Sequence, residues 1–474
     1  MKRLCSPRLV LVAIAVAVLP GLAAAQGVTS AAVVGRLTDE VGSPIAEAQV
    51  SLTSTTTGQR YATRSSSEGR YTLENVQVGG PYTLGVRALG FAPVTVQGIT
   101  LTLGQRLVQD VALKRAAVEV AGVTVEAANE PLRSPSRTGA SQFVSESLVT
   151  RLPTLTRNFT DFVQTAPQVT SLSVAGQNNR FNNIQIDGAV NNDLFNLGST
   201  NGQPGGQVNA KAITLEAISQ YQVLIAPFDV RQGGFAGGGI NAVTKRGAND
   251  FHGTGFFNHQ DEGLVGHNQS GLPFGSFNQN EWGGSLGGPI VKDRLHFFVA
   301  GEHQSKNAPD AGPDIGIDPV PVTGISPDSA QWFVTILQKY NSTVAGSFGR
   351  QTLETPNTNL FGRLDWQVND DNILTLRHNH LDGTDLSIGR GSTYSFSSNG
   401  VSRRNHVNAT VLQLSSTLRS RFFNELILQF QDIHDERDPT SLFPQVQVSV
   451  RSDTGGGFAG PSRTLVAEIG RAHV

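Results

Sequence analysis

Residues 360–368, with the sequence Leu-Phe-Gly-Arg-Leu-Asp-Trp-Gln-Val, alternate between the two faces of a strand. Because successive side chains of a strand point to opposite faces, one face is apolar and the other polar. The apolar face carries Leu360, Leu364, Trp366 and Val368, and the polar face carries Arg363, Asp365 and Gln367. Such strands are typical of a transmembrane β-barrel with a lipid-facing side and a wet lumen, although a soluble sandwich also accommodates them.

A second strand of this kind covers residues 295–302. Leu295, Phe297 and Val299 fall on one face, and His296 and Glu302 fall on the other. These strands and their neighbours are joined alternately by tight turns, at 369–372 and 419–421, and by long polar connections, at 304–358 and 382–404. Short turns at one end and long loops at the other favour an outer-membrane barrel.

The first long connection contains a predicted helix. Ser326 and Pro327 form a helix start, and apolar residues follow at helical spacing, at Phe333, Ile336, Leu337 and Tyr340. We expect these side chains to pack on the loop or barrel rather than to contact a ligand.

Composition excludes several classes of protein. The chain has 474 residues, enough for about three domains, and its 36 Lys and Arg nearly balance 38 Asp and Glu. No basic excess is present to neutralise phosphates, so we expect no nucleic-acid partner. After the amino-terminal leader, no stretch reaches 18 uninterrupted apolar residues, which argues against helical membrane spans.

The amino terminus has the features of an export signal. Lys2 and Arg3 precede an apolar run over 9–19, and small residues follow, so residues 1–25 are predicted to be a signal peptide cleaved between Ala25 and Gln26. Cys5 is the single cysteine and precedes the apolar run, which argues against lipid attachment. Neither a disulfide framework nor a cysteine-based zinc site is expected.

Residues 27–115 contain short β-branched runs separated by turn residues, which predict a small β-sandwich. The pattern Gly35-x-Leu37-x-Asp39-x-x-Gly42-x-Pro44, followed by Gly69-Arg70-Tyr71, resembles the carboxypeptidase regulatory-like family, a transthyretin-like sandwich. No histidine occurs before His252, so this segment has no imidazole for metal binding or catalysis. We therefore interpret it as a periplasmic accessory module.

Three motifs in residues 139–247 point to one family. The first is 183–189, Asn-Ile-Gln-Ile-Asp-Gly-Ala, with a turn at Asp187 and Gly188; the second is the helix-to-strand step at 215–224. The third is glycine-rich and ends in a strand; its residues are Gly233, Gly234, Gly237, Gly238, Gly239, Asn241, Thr244 and Lys245. Together they resemble the plug domain of TonB-dependent outer-membrane receptors. A nucleotide cradle is disfavoured because no helix follows the glycines, which we expect to permit close backbone approach or positive φ.

Residues 116–138 form a predicted linker that contains a strand-like run over 118–127. In the resembled family, a TonB-type protein of the inner membrane pairs with a short strand ahead of the plug. The candidate residues for this coupling strand are Val120, Val123, Thr124, Val125 and Glu126. The alternative, that the run is the last strand of the sandwich or a strand joining the next domain, has equal weight.

Residues 248–468 are predicted to be part of an outer-membrane barrel. Residues 251–253 and 283–290 resemble the Oar-like subgroup of TonB-dependent receptors, in which the regulatory-like sandwich precedes the plug. About eight candidate strands follow Gly247, whereas barrels that enclose a plug have about 22. A truncated barrel is therefore expected, with residues 469–474 corresponding to one reading frame of a common sequencing adapter.

The expected fold is mainly β: a signal peptide, a transthyretin-like sandwich, an α+β plug and the amino-terminal part of a transmembrane barrel. The resemblance implies a receptor of the outer membrane with periplasmic amino-terminal domains. It implies three partners, namely a TonB-type protein, outer-membrane lipid and an unidentified extracellular ligand. No cofactor, metal or catalytic residue is expected, and we interpret His378 and His380 as lumen-facing polar residues. An adhesion or assembly protein on the same barrel, and a secreted hydrolase, are the alternatives.

Overall fold

The computed structural model describes residues 29–115, 123–126, 139–151, 154, 157–170, 173–193, 203–227, 232–267, 275–309, 315–316, 325–340, 346–388, 393–418, 422–441, 446–450 and 463–467. Several predictions lie outside these residues. They are the signal peptide with its cleavage site at Ala25 and Gln26, the coupling-strand residue Val120, the turn at 419–421 and the segment 469–474.

Residues 29–115 and 123–126 form a two-sheet sandwich. Its strands are β1 (Ser30–Asp39), β2 (Gln49–Ser54), β3 (Arg60–Arg64), β4 (Arg70–Gln77), β5 (Gly79–Arg87), β6 (Val94–Leu101), β7 (Arg106–Val108), β8 (Val111–Leu113) and β9 (Val123–Glu126). One sheet has β1 between β4 and the pair β7 and β8, and the other has the order β3-β2-β5-β6-β9. The alternating apolar side chains meet in one core that includes Leu52, Leu84 and Leu101. Gly35 is required in β1, because a Cβ there would lie 2.0 Å from the carbonyl oxygen of Gln109.

The candidate coupling strand lies on this sandwich. β9 runs parallel to β6, with Val123 opposite Val94 and Glu126 opposite Gln97. The sheet thus continues past residue 115, where the sandwich was expected to end. Of the two alternatives, the position of residues 123–126 is that of a sandwich strand. A coupling role for the same strand remains a prediction.

Residues 139–247, which we call the plug, contain a five-stranded sheet with the order β10-β15-β16-β13-β14. The elements are β10 (Gly139–Val144), α1 (Glu146–Arg151), α2 (Phe159–Val163), β11 (Val169–Thr170), β12 (Ser173–Val174), β13 (Asn183–Ile186), β14 (Ala189–Val190), β15 (Ile218–Pro227) and β16 (Gly239–Thr244), with 3-10 helices at Asn179–Phe181, Gly206–Val208 and Leu215–Ala217. The predicted helix-to-strand step is present as the last 3-10 helix followed by β15. Phe162 stacks on Tyr221 in the core, with ring centroids 6.3 Å apart.

Eight of the remaining described strands form a long antiparallel sheet that we call the barrel wall, with the order β17-β18-β19-β21-β22-β24-β25 and with β20 beside β19. The other three form a separate sheet with the order β23-β27-β26. The elements are β17 (His252–Asp261), β18 (Asn278–Val291), β19 (Leu295–Pro309), α3 (Pro327–Tyr340), β20 (Thr352–Glu354), β21 (Asn357–Asn369), β22 (Asn372–Ser387), β23 (Thr393–Ser395), a 3-10 helix at Ser397–Asn399, β24 (Val401–Leu418), β25 (Phe422–Pro439), β26 (Val446–Val450) and β27 (Arg463–Ala467). A spanning strand needs only about 9–11 residues, and several of these are longer. The wall strands therefore continue into segments 304–358 and 382–404, so the expected long loops are shorter than the sequence suggested.

The two faces of the wall match the sequence pattern. Phe298 and Ala300 of β19 are buried against the plug, whereas Val299 is exposed on the outer face. In β21, Arg363 and Asp365 are buried on the plug side, and Leu364 and Trp366 are exposed on the other.

The histidine interpretation was wrong. In β22 the plug-facing residues are Arg377 and Asn379, which are buried and bond to plug carbonyls. Because side chains alternate along a strand, His378 and His380 lie on the outer face rather than in the lumen. There His380 contacts His406, with ring centroids 4.9 Å apart.

Helix α3 forms where it was predicted, with the Ser326 hydroxyl accepting a hydrogen bond from the Ser329 amide at 3.1 Å. Phe333 and Leu337 are buried in a small core shared with Phe396. The apolar face therefore packs on neighbouring loops, as expected. None of the described helices is long and apolar enough to cross a membrane.

The sandwich core generates a stability prediction. Leu84 is fully buried, so truncation by Leu84→Ala should destabilise the sandwich by about 2–5 kcal/mol through lost contacts and a residual cavity. Arg87→Ala, at an exposed position of the same strand, is the matched control. Urea unfolding of residues 29–126 measures both, and equal midpoints for the two variants would contradict the assigned core.

Candidate functional site

The plug and the barrel wall share one apolar core and two groups of buried charges. Phe298, Ala300 and Phe361 of the wall belong to the same buried cluster as Tyr221 and Ile240 of the plug. This contact buries apolar surface but is not directional. The charged side chains beside it fix where the plug sits.

The first charged group, which we call the arginine cluster, begins at the predicted turn between β13 and β14. Asp187 and Gly188 both have positive φ, of 45° and 75°, as the sequence indicated. The Asp187 carboxylate accepts hydrogen bonds from the Thr244 amide at 2.8 Å and from the Thr244 hydroxyl at 2.7 Å. The turn is thereby tied to the end of β16.

Two wall arginines complete this cluster. Arg363 donates to Asp187 at 3.2 Å and to the Thr244 hydroxyl at 2.7 Å, and it holds Asp365 with two further bonds of 2.8 Å. Arg377 donates to the Ile186 carbonyl and lies 3.6 Å from Asp187. The single plug carboxylate is thus shared by two guanidinium groups of the wall.

The second group, which we call the lysine cluster, has the opposite arrangement of charge. Lys211 of the plug is 3% exposed and forms ion pairs with Glu281, at 2.6 Å, and with Glu302 of the wall. The Thr214 hydroxyl donates to Glu302 at 2.9 Å, and Asn359 donates to the Lys211 carbonyl at 2.8 Å. Here one plug cation forms ion pairs with two wall carboxylates.

Arg157 of the plug extends the lysine cluster and contacts both the plug and the wall. It pairs with Glu216 at 2.7 Å, approaches Glu281 to 3.3 Å, and lies 3.8 Å from the ring centroid of Phe256. Burial opposes ionisation of Glu216, but hydrogen bonds from Thr254 and Arg157 outweigh it and lower the pKa of Glu216 below its ordinary value. The carboxylate therefore stays charged at neutral pH.

The predicted plug glycines lie where the backbone turns with positive φ or where neighbouring atoms leave no room for a Cβ. Gly234 has a φ of 79°, and a Cβ on Gly238 would lie 2.7 Å from the methyl groups of Val174. The Gly233 carbonyl accepts a bond from Asn183, a Cβ on Gly237 would lie 2.5 Å from Asn182, and Gly239 begins β16.

The remaining plug residues of the third motif lie on or beside β16. The Asn241 side chain accepts from the Gly188 amide at 3.3 Å, and the Lys245 amide donates to Ala217 at 2.7 Å. Residues from the first and third motifs thus meet at one place in the plug.

A cavity of about 480 Å³ opens beside the lysine cluster, toward the long-loop end of the wall. Lys211 and Asn209 of the plug form one side, and amide side chains of the wall form the other. The wall amides are Gln260, Gln279, Gln304 and Asn357. The lining therefore combines hydrogen-bonding side chains and one plug cation with apolar residues, which are Val208, Ala308, Pro309 and Leu353.

Sequence reasoning identified the plug side of the arginine cluster but not its partners. Arg363 and Asp365 were placed on the polar face without a role, and Lys211, Glu281 and Arg377 gave no signal beyond their position among polar residues. The predicted coupling residues Val123, Thr124, Val125 and Glu126 lie apart from both clusters, on β9. Within the described ranges, no group of three His, Cys, Asp or Glu side chains could hold a metal ion.

Comparison with known families gives two matches. Residues 32–114 match the carboxypeptidase regulatory-like domain, and residues 243–314 match an outer membrane beta barrel domain. The sandwich family and the barrel predicted from the sequence are both confirmed.

Two curated relatives are TonB-dependent proteins. The chain is 27% identical over 296 residues to the TonB-dependent transporter Oar of Myxococcus xanthus, covering 57% of this chain and 26% of the relative. It is 24% identical over 348 residues to the probable TonB-dependent siderophore receptor PirA of Acinetobacter baumannii, covering 66% and 40%. The chain thus spans about a quarter to two fifths of their length.

Solved structures are similar at a lower level. The siderophore receptor PirA from Acinetobacter baumannii aligns with a TM-score of 0.45 at 17% identity, over 69% of this chain and 43% of that one. The outer membrane transporter YddB from Escherichia coli aligns with a TM-score of 0.48 at 15% identity, over 70% and 43%.

The lysine cluster generates a prediction about plug seating. Lys211→Met leaves Glu302 buried without its cation, which should weaken seating by about 3–5 kcal/mol. Limited proteolysis of the purified protein should then cut the plug faster than in the unaltered protein. Lys339→Met, at an exposed position of α3, is the control, and adding Glu302→Gln to Lys211→Met should restore part of the protection. Unchanged cleavage in Lys211→Met would show that the ion pairs do not hold the plug.

Proposed function

Since the chain is a TonB-dependent receptor of the outer membrane, we propose that it carries a ligand across that membrane with energy supplied by a TonB-type protein of the inner membrane. The relatives are named as a transporter and a receptor rather than as enzymes. This agrees with the sequence analysis, which identified no candidate catalytic residue.

The observation that carries this proposal is the position of Lys211. This side chain lines the cavity and also joins the plug to Glu281 and Glu302 of the wall. A ligand that bonds to Lys211 competes with those carboxylates, so occupancy of the cavity and seating of the plug are linked. Such linkage is the requirement for a receptor whose gate responds to its ligand.

The lining of the cavity favours a polar ligand. Four wall amides can each donate and accept hydrogen bonds, while Lys211 and Lys306 can only donate. Asp385 of the wall also lines the cavity and can only accept, so a ligand that carries both oxygen acceptors and hydrogen-bond donors satisfies this set.

Energy has to reach the plug mechanically. The sequence contains no nucleotide-binding motif, so we propose that the partner pairs with β9 and pulls. Pairing along a strand distributes force over several backbone hydrogen bonds. We place the sandwich and β9 in the periplasm, because they lie at the end of the wall that carries the tight turns.

An adhesion or assembly role is the second candidate. It is favoured by the outer face of α3, where Trp332 is 68% exposed on a loop module that has its own core. An exposed tryptophan is a frequent anchor at protein interfaces. An adhesin does not need a proton-motive force, whereas the proposed transporter does.

The coupling strand provides the test. Proline at Val123 removes a backbone donor, so Val123→Pro should abolish transport while the full-length protein stays in the membrane. Cells carrying or lacking the full-length gene are grown in peptone medium, and mass spectrometry follows which components they deplete. Val123→Ile, which keeps the donor, is the control. Gene-dependent depletion that persists in Val123→Pro would reject β9 as the coupling strand, and depletion that survives a protonophore would reject energised transport.

A further inference from the structure

The sandwich touches the barrel wall at the end where the tight turns lie. The Asn249 amide donates to the Thr56 carbonyl of the sandwich at 2.8 Å. The Asn249 side chain also bonds to Asp293, in the turn between β18 and β19, at 2.6 Å. A Cβ on Gly58 would lie 1.9 Å from an Asp293 oxygen, so the sandwich and this turn are in close contact.

The same domain reaches the other turns at this end. Ile373, at the start of β22, is buried within the sandwich core cluster. Asn75 donates to the Asn424 carbonyl at 3.4 Å, and Thr29 bonds to Glu425, both at the start of β25. The sandwich therefore contacts the wall at the turn between β18 and β19 and at the starts of β22 and β25.

The base of the plug is covered by the same surface. Arg246, two residues after β16, donates to the Gln77 side chain and to the Val78 carbonyl at 2.6 Å. Val78 and Leu103 of the sandwich are buried together with Val243 of the plug. The plug cannot move toward this end of the wall while these contacts remain.

Strand β9 belongs to this covering domain. It is the last strand in the order β3-β2-β5-β6-β9, and four residue pairs join it to β6 within the described ranges. A load applied to β9 is therefore transmitted to the sandwich through β6 as well as to the plug through the chain.

We propose that the sandwich is a periplasmic lid, and that it must leave the wall turns before the plug can move. The proposal rests on the proposed function. A pull on β9 draws the lid away from Asn249, Asp293 and Arg246, and it thereby uncovers the base of the plug. Interfaces of this kind between domains of one chain are generally separable, so the lid can reseat when the load ends.

A disulfide across the lid contact tests this proposal. Thr56→Cys and Asn249→Cys are introduced together into the full-length protein with Cys5 replaced by serine. The backbone hydrogen bond between Asn249 and Thr56 holds the two residues close together. A disulfide needs α-carbons about 5–6 Å apart, which suits such a pair. Ser51→Cys with Ala62→Cys, directly opposite each other on β2 and β3, is the control that cross-links the lid only to itself.

Two measurements are made in cells growing in peptone medium. After oxidation, the lid cross-link should lower gene-dependent depletion about tenfold or more, reductant should restore it, and the control pair should have no effect. In addition, the lid pair should cross-link more slowly in energised cells than in cells treated with a protonophore, because the lid spends less time seated.

The outcomes separate this proposal from the proposed function. If the unaltered protein depletes no component, transport is rejected, and the lid is judged on the cross-linking rate alone. If cells with the unaltered protein deplete a component, and cells with the oxidised Thr56→Cys and Asn249→Cys variant deplete it to the same extent, the lid proposal is overturned. Equal cross-linking rates with and without the protonophore would also overturn it.

Discussion

The pairing of buried charges between plug and wall is the constraint on which the rest of the structure depends. Lys211 of the plug faces two wall glutamates, and Asp187 of the plug faces two wall arginines. An ion removed from water is tolerated only when a partner of opposite charge and further hydrogen bonds satisfy it. Since Lys211 and Asp187 come from the plug and these charged partners come from the wall, the two plug side chains are paired only while the plug is in place.

This arrangement fixes the position of the plug against the wall, and it leaves Lys211 within reach of a ligand in the cavity. Apolar contacts such as those of Phe298 and Phe361 tolerate sliding, whereas the directional bonds from Arg363 to Asp187 and Thr244 do not. The cavity beside Lys211 lies on one side of the plug, and the sandwich covers the other. A ligand and a pulling partner thus reach the same plug from opposite ends of the wall.

Local sequence pattern predicted the features that depend on neighbouring residues. Alternation along 360–368 placed Arg363 on the inner face because the strand period is two. The turn at Asp187 and Gly188 followed from their tolerance of positive φ. Long-range pairing gave no such signal. The arginine partners of Asp187 lie more than 170 residues away, and the edge position of β9 depends on β6, so neither could be derived from local pattern. His378 and His380 were misplaced because the phase of β22, not its period, decides which face meets the plug.

A double-mutant cycle on Asp187 and Arg363 tests most directly whether charges across the interface seat the plug. The free energy of plug unfolding in urea, followed by protease access while the barrel stays folded, is compared among the unaltered protein, Asp187→Asn, Arg363→Gln and the double variant. The account predicts that the two effects are coupled by about 1 kcal/mol or more. Strictly additive effects would contradict it, because they would mean that the two side chains stabilise the protein independently.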